Sequence, residues 1–228
     1  MKDLFLLPFA GGTSMVYSRW ELKDVKLHLL DYRGHGLRFR EELDKNEDEM
    51  ILDLTNQIQT LAGEEFYIFG HSMGGLMTWM ITKRLEAAGA KLPQRIFVSA
   101  CEPPNYIDTG RYRMLKTEDA VRDYLIQYNR VPEDRLKTST FKKVMFPAIK
   151  NDFRIMSEHK SVSCTRLKTP MTLFGSKDDQ IMPFETMYLW EEFSENHEFV
   201  EVKGEHFYLE EKNTRDYIMM TVERIING

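Results

Sequence analysis

The 228-residue chain is long enough for one α/β domain with a sizeable core, and its 42% apolar residues exclude intrinsic disorder. A net charge of −5 gives no general basis for nucleic-acid binding, and no apolar run approaches the roughly 20 residues that cross a bilayer. Two cysteines, Cys101 and Cys164, close at most one disulfide, so a reducing, cytoplasmic setting is expected, and no CxxC or Cys/His spacing suggests a metal.

Leu4 to Phe9 reads as a buried strand, and Ala10-Gly11-Gly12-Thr13-Ser14 as the turn after it. Lys2 followed by an apolar run faintly resembles a signal peptide, but Pro8 interrupts the run and Asp3 cancels the charge, so secretion is not expected. The turn lacks the Gly-Lys-Ser/Thr ending of a P-loop. Ser14 to Trp20 reads as a short helix. Lys26 to Tyr32 is a second strand, followed by Arg33-Gly34-His35-Gly36-Leu37-Arg38. His35, alone between glycines, reads as a structural hydrogen-bonder. Met50, Ile51, Leu54, Ile58 and Leu61 recur at helical spacing.

Phe66 to Phe69 is the next short buried strand. It runs into Gly70-His71-Ser72-Met73-Gly74, a match to G-x-S-x-G, and then into a helical pattern that stops near Gly89. This pattern is a nucleophile elbow, a sharp strand-to-helix turn that lifts the serine hydroxyl clear of the sheet. It also aims the Met73 N–H at the place where an oxyanion would form, and the loop after the first strand supplies a second donor, Ala10. Arg95 to Cys101 is a strand. Cys101 at its end reads as a small buried residue, and Glu102 beyond it is a minor candidate for a catalytic acid.

From Pro103 to Pro170 no buried strand is evident, whereas Thr117 to Tyr128, Thr138 to Pro147 and Ala148 to His159 look helical. An all-helical insertion at about 103–170 reads as a lid over the site, because a structureless loop of that length is implausible. Residues 102–170 hold 14 Lys and Arg against 9 Asp and Glu, a net of +5 that leaves −10 for the rest of the chain. This asymmetry suits an acidic partner, although an ordinary solvated face explains it equally well. Met171 to Ser176 is a strand, and Pro183 opens a helix reaching Glu195. His197 to Val202 is the last strand, and a helix from Asn213 to Asn227 closes the chain. Strands alternating with helices imply one domain over 1–228, built on a mostly parallel sheet flanked by helices, with its site at the carboxyl ends of the strands.

Ser72 needs a base, and His206, in the loop after the final strand, supplies it in the chain order serine, acid, histidine that α/β-hydrolases use. His71 cannot easily turn back onto Ser72, and His159 and His197 read as surface positions. Asp178 is favoured over Asp179 as the acid, since that acid usually comes three residues after the strand-ending glycine, Gly175. Asp179 is then a helix-entry or surface residue. The two neighbouring carboxylates have no companion ligands that would make a metal site.

Several stretches together resemble the type II thioesterases, the stand-alone α/β-hydrolases that accompany polyketide and non-ribosomal peptide synthetases. They are Leu7 to Gly12, Asp31 to Arg38, Phe69 to Gly75, Phe146 to Phe153 (FPAIKNDF), Phe174 to Ile181 and Gly204 to Leu209, in the family's order along nearly the whole chain. The resemblance implies an α/β-hydrolase fold and a substrate acyl group on the phosphopantetheine arm of a carrier domain. It also implies an editing or chain-releasing hydrolysis, with Ser72, Asp178 and His206 as triad and Met73 and Ala10 as oxyanion donors. No cofactor is implied beyond the pantetheine that the substrate carries, and the partners are acyl or peptidyl carrier domains, usually acidic. Two positions depart from the pattern. The family more often has Pro-Gly-Arg-Gly where Arg33-Gly34-His35-Gly36 stands, and glycine in place of Glu205, which would raise the basicity of His206. Met145 and Met156 of the lid read as packing residues, with a flexible acyl pocket as the alternative. A monomer is expected. The fatty-acid-synthase thioesterases share these motifs, and a carboxylesterase or lipase of small free esters would use the same triad. A non-catalytic binding module would usually have lost a triad member, and none is missing.

Overall fold

The computed structural model describes residues 1–128, 131–163 and 166–228; Cys164 lies outside them. Six strands form one sheet: β1 Lys2–Leu7, β2 Val25–Leu29, β3 Phe66–His71, β4 Arg95–Ser99, β5 Met171–Ser176 and β6 His197–Val202. Their order is β2-β1-β3-β4-β5-β6, and every neighbouring pair is parallel. In β1, β3 and β5 nearly every residue is buried, because both faces of a parallel sheet are covered. Covering them are α1 Glu47–Leu61, α2 Met73–Ala87 and α7 Lys212–Asn227. Asn46 caps α1 by accepting from the Glu49 N–H, and Met50, Ile51, Leu54 and Ile58 turn inward at the expected spacing.

Between β4 and β5 lie α3 Thr109–Arg113, α4 Glu118–Gln127, α5 Glu133–Leu136 and α6 Phe146–Glu158. No strand of the sheet falls there among the described residues, in keeping with a helical insertion. Pro147 does not divide two helices. A wide turn at Phe141–Met145 runs directly into α6, with the Phe146 N–H reaching back to the Phe141 carbonyl, and Pro147 sits in the first turn of α6. Val121, Leu125, Leu136, Phe141, Ile149 and Phe153 form a small core of their own, and Ala10 packs against both this cluster and the main one. The carboxyl end of β1 is therefore where the two cores meet.

Smaller differences have local causes. The segment after Thr13 is a single 3-10 turn, Ser14–Tyr17, and the one after Pro183 is a 3-10 stretch, Phe184–Glu192. β2 stops at Leu29: the Leu30 N–H makes a last bond to the Leu6 carbonyl of β1, and beyond it Asp31 turns its carboxylate inward to two loop N–H groups.

Candidate active site

The elbow is built as its glycines require. Ser72 has φ 56° and ψ −120°, a left-handed, strained backbone for a residue with a side chain. A Cβ on Gly70 would come within 2.0 Å of the Gly74 carbonyl oxygen, and one on Gly74 within 2.3 Å of the Leu7 carbonyl oxygen. Neither contact can be relieved without moving backbone. Ser72 stays pinned because its N–H donates to the Ser99 carbonyl of β4 at 2.8 Å. Met73 opens α2, so its N–H has no intrahelical acceptor and stands beside the serine.

Strand register explains why Ala10 lies beside the elbow. Leu7 of β1 is paired with Gly70 of β3, so three residues onward on one strand and two on the other bring Ala10 next to Ser72. Ala10, Ser72 and His206 line one cavity of about 430 Å³. Its far wall comes from the inserted helices and includes Tyr112, Tyr124, Met145, Ile149 and Phe153. Met145 thus lines this cavity, whereas Met156 is buried in the main core.

His206 Nε2 lies 3.0 Å from Ser72 Oγ, and His206 Nδ1 lies 2.8 Å from Asp179 Oδ2. The carboxyl on the imidazole is therefore Asp179 and not Asp178. The expected offset of three residues from Gly175 fails by one: β5 ends at Ser176 as read, and the turn beyond it, closed by the Asp179 N–H on the Ser176 carbonyl at 3.3 Å, faces the fourth residue inward. Asp179 is buried, and its Oδ1 accepts from the N–H groups of Ile181 and Met182 at 2.9 Å each. Those two bonds fix the carboxylate and leave Oδ2 for the histidine. Asp178 is exposed, and its Oδ2 accepts from the Gly204 N–H at 3.3 Å, on the loop that carries His206.

With Nδ1–H donated to Asp179, Nε2 is left to accept the serine proton, which is the tautomer a general base needs. Glu205 is exposed and is not one of the ring's partners, which are Asp179 and Ser72. His71 has a supporting position that its sequence did not disclose. Its Nε2 donates to the His206 carbonyl at 2.8 Å, and its Nδ1, 3.0 Å from Ser99 Oγ, then accepts from that hydroxyl. The residue that precedes Ser72 therefore anchors the backbone of His206, a contact spanning β3 and the loop after β6. Phe207 adds an edge-to-face contact with Phe9, ring centroids 5.0 Å apart.

The remaining candidates fall elsewhere. Glu102 is ion-paired with Arg111 and accepts from the Asp108 N–H, so its carboxylate is engaged there, and the one on His206 is Asp179. Cys101 is buried, and burial raises its thiol well above the ordinary range, so it is no nucleophile at neutral pH. His159 is not a surface residue: it is buried between Glu47 Oε1 at 2.7 Å and the Pro104 carbonyl at 2.9 Å. Among the described residues no three His, Cys, Asp or Glu side chains gather as a metal site.

The thioesterase domain family matches residues 2–226. The chain is 24% identical over 213 residues to the gramicidin S biosynthesis protein GrsT of Aneurinibacillus migulanus, covering 91% of this chain and 83% of GrsT. It is 25% identical over 240 residues to the medium-chain S-acyl fatty acid synthase thioesterase of Homo sapiens, covering 96% and 87%. Among solved structures, RedJ, a thioesterase of the prodiginine pathway in Streptomyces coelicolor, shares the fold. Its TM-score is 0.88 at 24% identity, over 97% of this chain and 89% of RedJ.

Proposed function

The chain belongs to the thioesterase domain family, and from that premise we propose that it hydrolyses acyl groups from the phosphopantetheine thioesters of carrier domains, as a type II thioesterase does. The observation that carries the reading is the unbroken relay from Ser72 Oγ through His206 to Asp179, opening into a cavity whose lid-side wall is largely apolar. Ser72 attacks the thioester carbonyl as His206 Nε2 takes its proton, and the tetrahedral oxygen is held by the N–H groups of Met73 and Ala10. Asp179 stabilises the imidazolium, which then protonates the departing pantetheine sulfur. Water repeats the cycle on the acyl-serine and frees the acid.

Charge supports the carrier half of this reading. A groove of about 1010 Å³ beside α6 is lined by Arg113, Lys116, Lys150, Arg154 and Lys160, with Glu158 its one acid. Lys116, Lys150 and Lys160 are exposed and form no ion pair among the described residues. Tyr112 lines both this groove and the cavity at Ser72, so an acidic carrier seated there would present its arm toward the nucleophile. The enzyme would act in the cytoplasm as a monomer, without cofactor or metal. No helix of the described residues is long and apolar enough to cross a membrane.

Mass spectrometry of a panel of acyl-carrier proteins, incubated with wild type and with Ser72→Ala, tests the proposal. Chain release by the wild type alone is expected. Turnover of p-nitrophenyl esters with every carrier left loaded would move the assignment to a free-ester hydrolase.

A further inference from the structure

The turn that carries Ala10 is gripped by a carboxylate that the acyl-transfer chemistry does not use. Asp152 lies on α6, is fully buried, and through Oδ2 accepts from the Gly11 N–H at 2.7 Å and from His35 Nε2 at 3.0 Å. Its Oδ1 is buried with no hydrogen-bond partner. All compensation for this buried charge therefore enters through one oxygen, and a buried carboxylate without a counter-charge is strongly disfavoured. The far end of the same turn is tied as well, since the Ser14 N–H donates to Asp31 Oδ1 at 2.6 Å.

His35 supplies the counter-charge. Its Nδ1 lies 3.0 Å from the Arg33 carbonyl, so both ring nitrogens face acceptors, and only the imidazolium can donate to both. Facing it are Asp152 from α6, Asp31 from its own loop and the ring of Tyr32 at 5.6 Å. Burial works against its charge, but Asp152, the Arg33 carbonyl and Asp31 outweigh it and raise the imidazole to about 9. Contact reinforces the grip: a side chain at Gly11 would meet Ile149 of α6 at 2.6 Å.

We infer that Asp152 is a positioning residue that, from the inserted helical segment, fixes Gly11 and hence the adjacent Ala10 N–H against the elbow, while His35 holds the carboxylate in place and cancels its charge. The inference rests on the acyl-transfer reading, because the placing of the Ala10 N–H matters only where an oxyanion forms. Cover and catalytic turn are then one unit, and a segment displaced from Gly11 would leave the oxygen with one donor. The clamp is also titratable, for His35 stands where the resembled family more often has arginine. Losing its proton would uncover a negative charge one residue from the developing oxyanion.

The test is steady-state hydrolysis of a small acyl-pantetheine thioester by wild type, Asp152→Ala and Asp152→Asn, with background hydrolysis subtracted and folding followed by near-UV circular dichroism. Asp152→Ala removes the acceptor and should lower kcat by about tenfold or more while KM stays within about threefold, as for a weakened oxyanion donor. Asp152→Asn keeps an acceptor for Gly11 and should restore most of that loss. Wild-type kcat should fall as pH rises through about 9, and Asp152→Asn, with no charge to uncover, should show no such fall. An unchanged kcat in a folded Asp152→Ala overturns the inference. So does the same alkaline fall in wild type and Asp152→Asn, a comparison that decides even where the alanine variant does not fold. A wild type that never turns over the thioester would instead remove the acyl-transfer reading itself.

Discussion

Two adjacent carboxylates, Asp178 and Asp179, hold unlike positions because one step of backbone separates the inside of a turn from its outside. Asp179 is buried and takes three hydrogen bonds, two from backbone N–H groups and one from His206, whereas Asp178 is exposed. Replacing Asp179 by Asn offers His206 Nδ1 an amide that can force the wrong tautomer, leaving Nε2 protonated against Ser72. We expect Asp179→Asn to lower kcat by roughly three to four orders of magnitude with folding preserved. Asp178→Asn sacrifices only a 3.3 Å contact to the Gly204 N–H and should leave kcat within about threefold, as surface substitutions usually do. Comparable losses in the two variants, measured side by side, would contradict the relay. Serine and histidine were legible in the sequence because each stands in a loop of distinctive pattern. The acid was legible only to within one residue: the end of β5 at Ser176 was readable, but which aspartate faces inward is decided by the Ile181 and Met182 N–H groups and by His206, 27 positions away, which no local pattern records.

At the scale of elements, the site depends on how closely α2 and β3 approach the end of β1. Gly74, in the first turn of α2, lies against the Leu7 and Pro8 carbonyl oxygens, and Pro8 leads directly into the turn holding Ala10. A methyl group at Gly74 would press on backbone that cannot rotate away. Gly74→Ala should therefore cost roughly 1–3 kcal/mol of stability, as overpacking does. It should lower kcat more than its drop in Tm would suggest, because the displaced chain bears Ala10, the proposed oxyanion donor. Thermal melts with kcat measured well below the transition separate the two effects, and a variant with wild-type kcat would show that the turn is not pushed. The buried strands and the amphipathic α1 were readable from periodicity. The ends of the inserted helices were less so, because Pro147 signals a boundary in sequence yet fits the first turn of a helix that a wide turn feeds.

Across the whole molecule, the inserted segment was foreseeable as helical, but what fastens it was not, since the fastening pairs lie more than a hundred residues apart in the chain. His35 meets Asp152 across 117 positions, and His159 meets Glu47 across 112. Each pair joins α6 or its end to the α/β body, and each histidine is buried between a carboxylate and a backbone carbonyl. For both, burial lowers the tendency to hold a proton and the carboxylate more than restores it, so both are raised, His35 to about 9. A histidine that binds its proton more tightly when folded contributes stability that is complete below the ordinary value of 6.5. That contribution declines as pH rises through the folded value. Between those limits His35 alone accounts for on the order of 3 kcal/mol. Urea unfolding at a series of pH values should show stability falling from about pH 6.5 to 9 in the wild type. Asp152→Asn removes the charge that holds the His35 proton, so its curve should be flatter by roughly that amount over the same interval, while the His159 pair keeps its share. Parallel curves for the two proteins would mean that the His35 proton is not what fastens α6 to the catalytic turn.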